Sequence, residues 1–153
     1  MSTRYDPIVV ESGLDIPYKY HAGPIATRFY DALEQERRIL GIRCPACRTV
    51  YVPPRATCGR CFAEMDDWVE VGPEGEVTSY TVVHYEEAVH PVKAPFAYAL
   101  VKLDHADTAL VHLLGEVDLA ALRVGMRVQA EFAEESPGNI LAIRYFKPVQ
   151  GAR

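Results

Sequence analysis

The sequence has no cysteine outside one eighteen-residue window, no carboxylate between Arg37 and Ala63, and no apolar run approaching a bilayer span. Each absence excludes something. Four cysteines confined to residues 44–61 are not a framework of dispersed disulfides. The opening MSTRYDPIVVESG lacks the basic start and unbroken apolar stretch of a secretory leader, so the expected location is cytoplasmic and reducing. The formal net charge of −5 argues against general polyanion binding. No internal repeat and no low-complexity segment is present. What remains is an ordinary globular composition, 49% hydrophobic over 153 residues, enough for one compact unit or two small modules sharing a core.

The charge is unevenly spread. Arg37, Arg38, Arg43, Arg48, Arg55 and Arg60 fall in the stretch without acids, whereas residues 71–153 hold seven basic and eleven acidic side chains. The positive field is therefore local. A single-strand-binding module would carry basic residues interleaved with aromatics along its C-terminal half, and the acidic balance there speaks against nucleic acid.

Residues 1–24, with Pro7, Pro17 and Pro24, read as an extended arm, either packed on the body or a partner or loose. Residues 24–41 read as a helix. Pro24 suits its first turn, Ile25, Phe29 and Leu33 recur every four residues, and Gly41 is the expected terminator. GPEGE at 72–76 marks a turn, after which the pattern becomes strand-like. Strands are expected at 76–85, 96–104, 108–117, 126–132 and 140–148, with a short helix in DLAALRVG between the third and fourth. That order matches an OB-fold, a five-stranded Greek-key barrel. The expected architecture is mainly β: arm and helix over 1–41, a metal ribbon over 42–70, and the barrel over 71–153.

The ribbon is RCPACRTVYVPPRATCGRC, residues 43–61. Two residues between cysteines let both sulfurs meet one ion, so Cys44, Cys47, Cys58 and Cys61 form a closed tetrahedral shell of the structural zinc type. Iron in a rubredoxin-type site would use the same geometry. A thioredoxin-like redox centre needs one CxxC opening a helix, whereas two are present in turn-like sequence. Four thiolates on a divalent ion leave a charge of −2, which Arg43, Arg48 and Arg60, beside the ligands, would offset. Six arginines exceed that need, which leaves positive surface for an anion or an acidic partner.

No nucleophile-and-base pair stands out. His112 lies within a strand pattern and reads as a satisfied barrel histidine. His84 and His90 flank a polar loop, and Ser79 and Ser136 lack the sequence context of a catalytic serine.

FYDALEQERRILGIRCPACRTVYVPPRATCGRC (29–61), GEVTSYTVV (75–83), PFAYALVKLD (95–104) and LRVGMRVQAEF (122–132) together resemble a family that joins a helix, a rubredoxin-like zinc ribbon and an OB-fold. The resemblance runs from about Phe29 to Pro148 and leaves the arm before Ile25 uncovered. It implies a non-catalytic, acyl-CoA-associated partner subunit of a thiolase-superfamily enzyme, in a hetero-oligomer off the membrane. Relatives partner aldolases or hot-dog-fold hydratases. Coenzyme A presents phosphates that arginine recognises bidentately, which makes Arg37, Arg43, Arg48 and Arg55 candidates. Tyr51, Phe96 and Tyr98 are candidates for its adenine or acyl arm. The alternatives are core packing for the aromatics and solvated or charge-balancing roles for the arginines.

Overall fold

The computed structural model describes residues 8–11, 13, 16, 18–135 and 138–149. Pro7, Pro17 and Ser136 lie outside them. The described arm residues before Ala22 have no helix or strand and expose their side chains. No helix among the described residues is long and apolar enough to cross a membrane.

Helix α1 spans Gly23–Asp31 with Pro24 in its first turn, where the missing N–H costs nothing. The imidazole Nδ1 of His21 accepts from the Gly23 N–H at 3.0 Å, satisfying one of the helix-start donors. The chain then widens into a π-helical turn, Ala32–Glu36. Arg37 ends it in the left-handed region (φ 53), and the N–H groups of Arg37 and Arg38 both reach the Ala32 carbonyl. The helix therefore stops four residues short of the expected Gly41. Ile39, Leu40 and Ile42 are taken by a strand instead, β1 (Ile39–Arg43), whose β-branched side chains suit a sheet flanked on both faces. Gly41 serves that sheet: a Cβ there would lie 3.0 Å from Val50 Cγ1 and 3.2 Å from the Tyr51 carbonyl oxygen.

Strands β2 (Val50–Tyr51) and β3 (Asp67–Val71) flank β1 antiparallel, giving a three-stranded ribbon in the order β2-β1-β3. Five further strands close a barrel in the order β4-β5-β6-β8-β7. They are β4 (Glu74–Val83), β5 (Phe96–Leu103), β6 (Ala109–Leu114), β7 (Arg127–Phe132) and β8 (Ile143–Pro148). The parallel contact between β6 and β8, at Leu114 and Phe146, completes the ring. The fold is the expected one: mainly β, with an N-terminal helix, a four-cysteine ribbon and a closed five-stranded OB barrel.

Boundaries moved for local reasons. β4 begins inside the expected 72–76 turn and ends at Val83, not 85. β8 starts at Ile143 because Ile140–Ala142 forms a 3-10 turn, capped by the Asn139 side chain accepting from the Leu141 N–H at 2.8 Å. The expected insert helix is reduced to a 3-10 turn, Leu119–Ala121, and Gly125 (φ 85) lets the chain turn into β7.

One core runs through the molecule. Phe29 and Leu33 from the helical segment, Ile39, Val50 and Val71 from the ribbon, and Val101, Val128 and Phe146 from the barrel belong to a single buried cluster. A polar clasp reinforces it. The Asp107 carboxylate accepts from the Val50 N–H (2.8 Å) while the Asp107 N–H donates to the Val50 carbonyl. Thr108 Oγ1 accepts from the Val52 N–H (2.7 Å) and donates to the Val52 carbonyl (3.0 Å). The β5–β6 turn thus treats β2 as an edge strand and satisfies it. Asp107→Ala leaves the Val50 donor unpaired, and the expected loss is about 1–3 kcal/mol. Hydrogen exchange should quicken first at the Val50 and Val52 amides; unchanged protection there would show that the clasp contributes nothing.

Candidate metal centre and barrel cavity

The two CxxC pairs occupy matching turns. In the first, the Cys44 N–H bonds to the Thr49 carbonyl and the Arg48 N–H to the Cys44 carbonyl (both 2.9 Å). In the second, the Cys58 N–H bonds to the Ala63 carbonyl and the Phe62 N–H to the Cys58 carbonyl (3.1 Å). Each turn also aims an N–H at its first sulfur, Cys47 N–H at Cys44 Sγ and Arg60 N–H at Cys58 Sγ, both at 3.4 Å. The knuckles face one another, bringing all four sulfurs within 4.8 Å of each other. Cys44 and Cys61 lie 3.4 Å apart and Cys47 and Cys58 3.6 Å. Zinc–sulfur bonds of about 2.3 Å in a tetrahedron place sulfurs roughly 3.8 Å apart, so the donor set fits a closed tetrahedral ion.

Two hydroxyl groups complete the surroundings. The Tyr51 hydroxyl lies 3.3 Å from Cys58 Sγ, and Cys47 Sγ is 3.3 Å from Thr49 Oγ1. The Tyr51 hydrogen bond is the chief reason that the Cys58 thiol is held down to about 5, with N–H groups of Cys61 and Arg60 helping against burial. Cys47 is also lowered, chiefly by Thr49. Cys61 goes the other way: the Ala63 N–H favours its thiolate, but hydrogen bonding with Cys44, Cys58 and Cys47 pushes it up to about 11. Adjacent thiolates repel, and a divalent cation is what allows the last of them to ionise. The chemistry of the set and its spacing both point to a structural metal site with no open coordination position.

A second feature lies on the barrel wall. A cavity of about 520 Å³ is lined by Tyr98 from β5, Val111, His112 and Leu113 from β6, Pro91 and Val92 from the β4–β5 loop, Ile140 and Leu141, and Arg144 and Tyr145 from β8. It sits on the second and third barrel strands between the first and last connecting loops, where OB-folds meet ligands. His112 is only 6% exposed. Its Nδ1 accepts from the Leu113 N–H at 2.9 Å, which places the ring proton on Nε2, 3.4 Å from the Ile140 carbonyl. The sequence reading of a satisfied barrel histidine holds. At the rim, Gly115 makes room for a ring: a Cβ there would fall 2.4 Å from Tyr145 Cγ. The Tyr145 hydroxyl donates to Glu116.

Burial, the main cause, pushes the His112 imidazole below its ordinary value of 6.5. The folded chain keeps it neutral, while the unfolded chain takes up a proton as pH falls below 6.5. Acid therefore removes stability, and stability is recovered as pH rises through 6.5. Urea melts between pH 7.5 and 5 should show this loss, and His112→Gln should flatten it in that window. An equally steep dependence in the variant would assign the effect to other groups.

The candidate residues are dispersed over these features. Tyr51 is buried with its hydroxyl on Cys58, and the Arg55 guanidinium lies 4.8 Å over its ring. Arg43 pairs with Asp67 at 3.2 Å. Arg48 stands in the left-handed region in the first knuckle (φ 61), as Arg37 does at the end of the π turn. Phe96 is buried between the rings of His90 and Tyr98. Of the seven, Tyr98 alone lines the cavity. Arg144, which does line it, was not among the candidates. Alternation along β8 turns Ile143 inward and Arg144 outward, but that marks it no more than any other surface arginine.

Comparison with known proteins follows the same division. Residues 31–66 match the rubredoxin-like zinc ribbon domain of ChsH2, and residues 68–133 match the ChsH2 C-terminal OB-fold domain. The solved Ltp2-ChsH2(DUF35) aldolase contains a chain that is 29% identical, with a TM-score of 0.64 over 85% of this chain and 98% of that one. A DUF35-family protein of unknown function from Sulfolobus solfataricus shares the fold at 24% identity and a TM-score of 0.58, over 71% of this chain and 78% of that one. Among curated proteins, a probable enoyl-CoA hydratase alpha subunit of Thermomonospora curvata is 30% identical over 95% of this chain. This chain spans only 45% of that subunit. A DUF35 domain-containing scaffold protein of Methanocaldococcus jannaschii is 24% identical over 82% of this chain and 92% of its own. With both halves matched in order and the four-sulfur ribbon in place, the chain belongs to the DUF35 family of ChsH2-type proteins, a zinc ribbon followed by an OB-fold.

Proposed function

We propose that this protein is a non-catalytic partner subunit of an enzyme acting on CoA thioesters, assisting its assembly and holding the CoA ester. The observation that carries the reading is its likeness, over nearly the whole of that chain, to a chain of the Ltp2-ChsH2(DUF35) aldolase. A thiolase-superfamily enzyme is the first partner. An acyl-CoA hydratase or aldolase is the alternative, favoured by the likeness of almost this entire chain to the hydratase alpha subunit and by that same aldolase chain.

The barrel cavity suits the ester. Its walls are mainly apolar, as a pantetheine or acyl arm requires, with Tyr98 as a polar point. Arg144 on the wall offers the guanidinium for a phosphate. The 3-10 turn bounding the cavity packs against residues 32–36, and Arg37, which follows them, is the nearest of the sequence candidates for a second phosphate contact, though it does not line the cavity. The ribbon metal is zinc, held by Cys44, Cys47, Cys58 and Cys61 to fix the knuckles, with no part in catalysis. The place of work is the cytoplasm.

The test is co-elution. Mixed with its thiolase-superfamily or hydratase subunit, the protein should run as one larger species on a sizing column and raise that enzyme's turnover of an acyl-CoA. Separate elution from both classes, with activity unchanged, would end the proposal. Elemental analysis should return one zinc per chain; a coloured, iron-containing protein would overturn that assignment.

A further inference from the structure

The second knuckle carries a residue that its fold does not ask for. Phe62 follows the last cysteine in the left-handed region (φ 60), where L side chains are disfavoured and glycine is not. Its ring is 79% exposed, so burial does not offset that conformation. A bulky aromatic held in strain and facing water calls for a role outside the chain.

Its surroundings state the chemistry. Arg38 is neutralised by Glu36 and Glu70, and Arg43 by Asp67. Arg48, Arg55 and Arg60 have no ion pair among the described residues. All three gather at the knuckles. Arg48 and Arg60 adjoin ligands, and Arg55, stacked on Tyr51, would come within 3.5 Å of a Cβ placed on Gly59. Aromatic residues, phenylalanine included, and arginine are enriched in protein interfaces relative to the rest of the surface.

We propose that the knuckle face is a docking surface for the enzyme subunit, on which Phe62 enters an apolar pocket rimmed by carboxylates that pair with Arg48, Arg55 and Arg60. This rests on the partner-subunit reading and adds the surface that meets the partner. The knuckle turn holds the Phe62 backbone through its N–H bond to the Cys58 carbonyl, so little backbone entropy is lost on docking. The acidic rim matches a basic patch on an otherwise acidic chain.

Phe62→Gly separates docking from folding. It relieves the backbone strain, so metal content should be unchanged and the melting temperature equal or higher, while affinity for the subunit that co-elutes with the wild type falls at least tenfold. Arg60→Glu should weaken binding similarly and remove much of its salt dependence. If the wild type binds and both variants bind equally well with the same salt dependence, the surface lies elsewhere and the partner reading stands. If the wild type binds neither subunit class, the partner reading fails and this surface with it.

Discussion

Cys47→Ser is expected to strip the metal and cost several kcal/mol. Cys47 is 3.6 Å from Cys58 and part of a donor set confined within 4.8 Å. A serine oxygen in its place is a poorer donor and leaves three thiolates around the ion. The knuckles themselves have little else to hold them: β2 contains two residues, and the cysteines sit in turns. Without the ion, repulsion between sulfurs favours opening, and the Tyr51 hydroxyl loses its reason to stay near Cys58. The variant should bind less than one metal per chain after dialysis and unfold at lower denaturant. Full metal content with wild-type stability would refute the four-cysteine assignment. Partner binding should fall with the metal, because Phe62 and Arg60 flank Cys61.

The second large effect is expected from Phe146→Ala. Phe146 is wholly buried and lies where β8 meets β6 to close the barrel. Its carbonyl accepts from the Gly115 N–H at 2.9 Å, and its ring packs edge-on to His112 with centroids 5.7 Å apart. Truncating a fully buried phenylalanine costs about 3–5 kcal/mol, through lost transfer energy and the void left behind. The space opens beneath His112, so binding of the CoA ester proposed for the cavity should weaken along with the barrel. Denaturant melts would measure the first cost and acyl-CoA titration the second. A loss below about 1 kcal/mol would mean the barrel repacks freely at its closure. Phe146→Leu should recover most of the stability, since it keeps much of the volume.

These features were unequally visible in the sequence. The metal centre was written in local spacing, because two residues between cysteines set the knuckle turn whatever lies around it. The barrel was visible through alternation of inward Val, Leu and Phe with outward polar residues. The end of the helix was not. Ile39 and Leu40 continue an apolar pattern that suits either helix or strand, and pairing with Val71 and Glu70 across β3 decides between them. The cavity was hidden for a different reason. Its walls come from residues 91–92, 98, 111–113, 140–141 and 144–145, which meet only when the barrel closes. Tyr98 could be named as an aromatic near a loop, but nothing local distinguished Arg144 from any surface arginine.

The clasp between the β5–β6 turn and β2 bears on the order of folding. It joins residues 56 and 57 positions apart, whereas the cysteines close a loop within one short segment. Closing a long loop loses more chain entropy than closing a short one, so contacts distant in sequence form late. The metal loop is the natural early nucleus. Once rigid, it presents the Val50 and Val52 edge as a template on which the β5–β6 hairpin can register. A chain folded in a chelator should then reach the barrel more slowly, even where the barrel strands themselves are untouched.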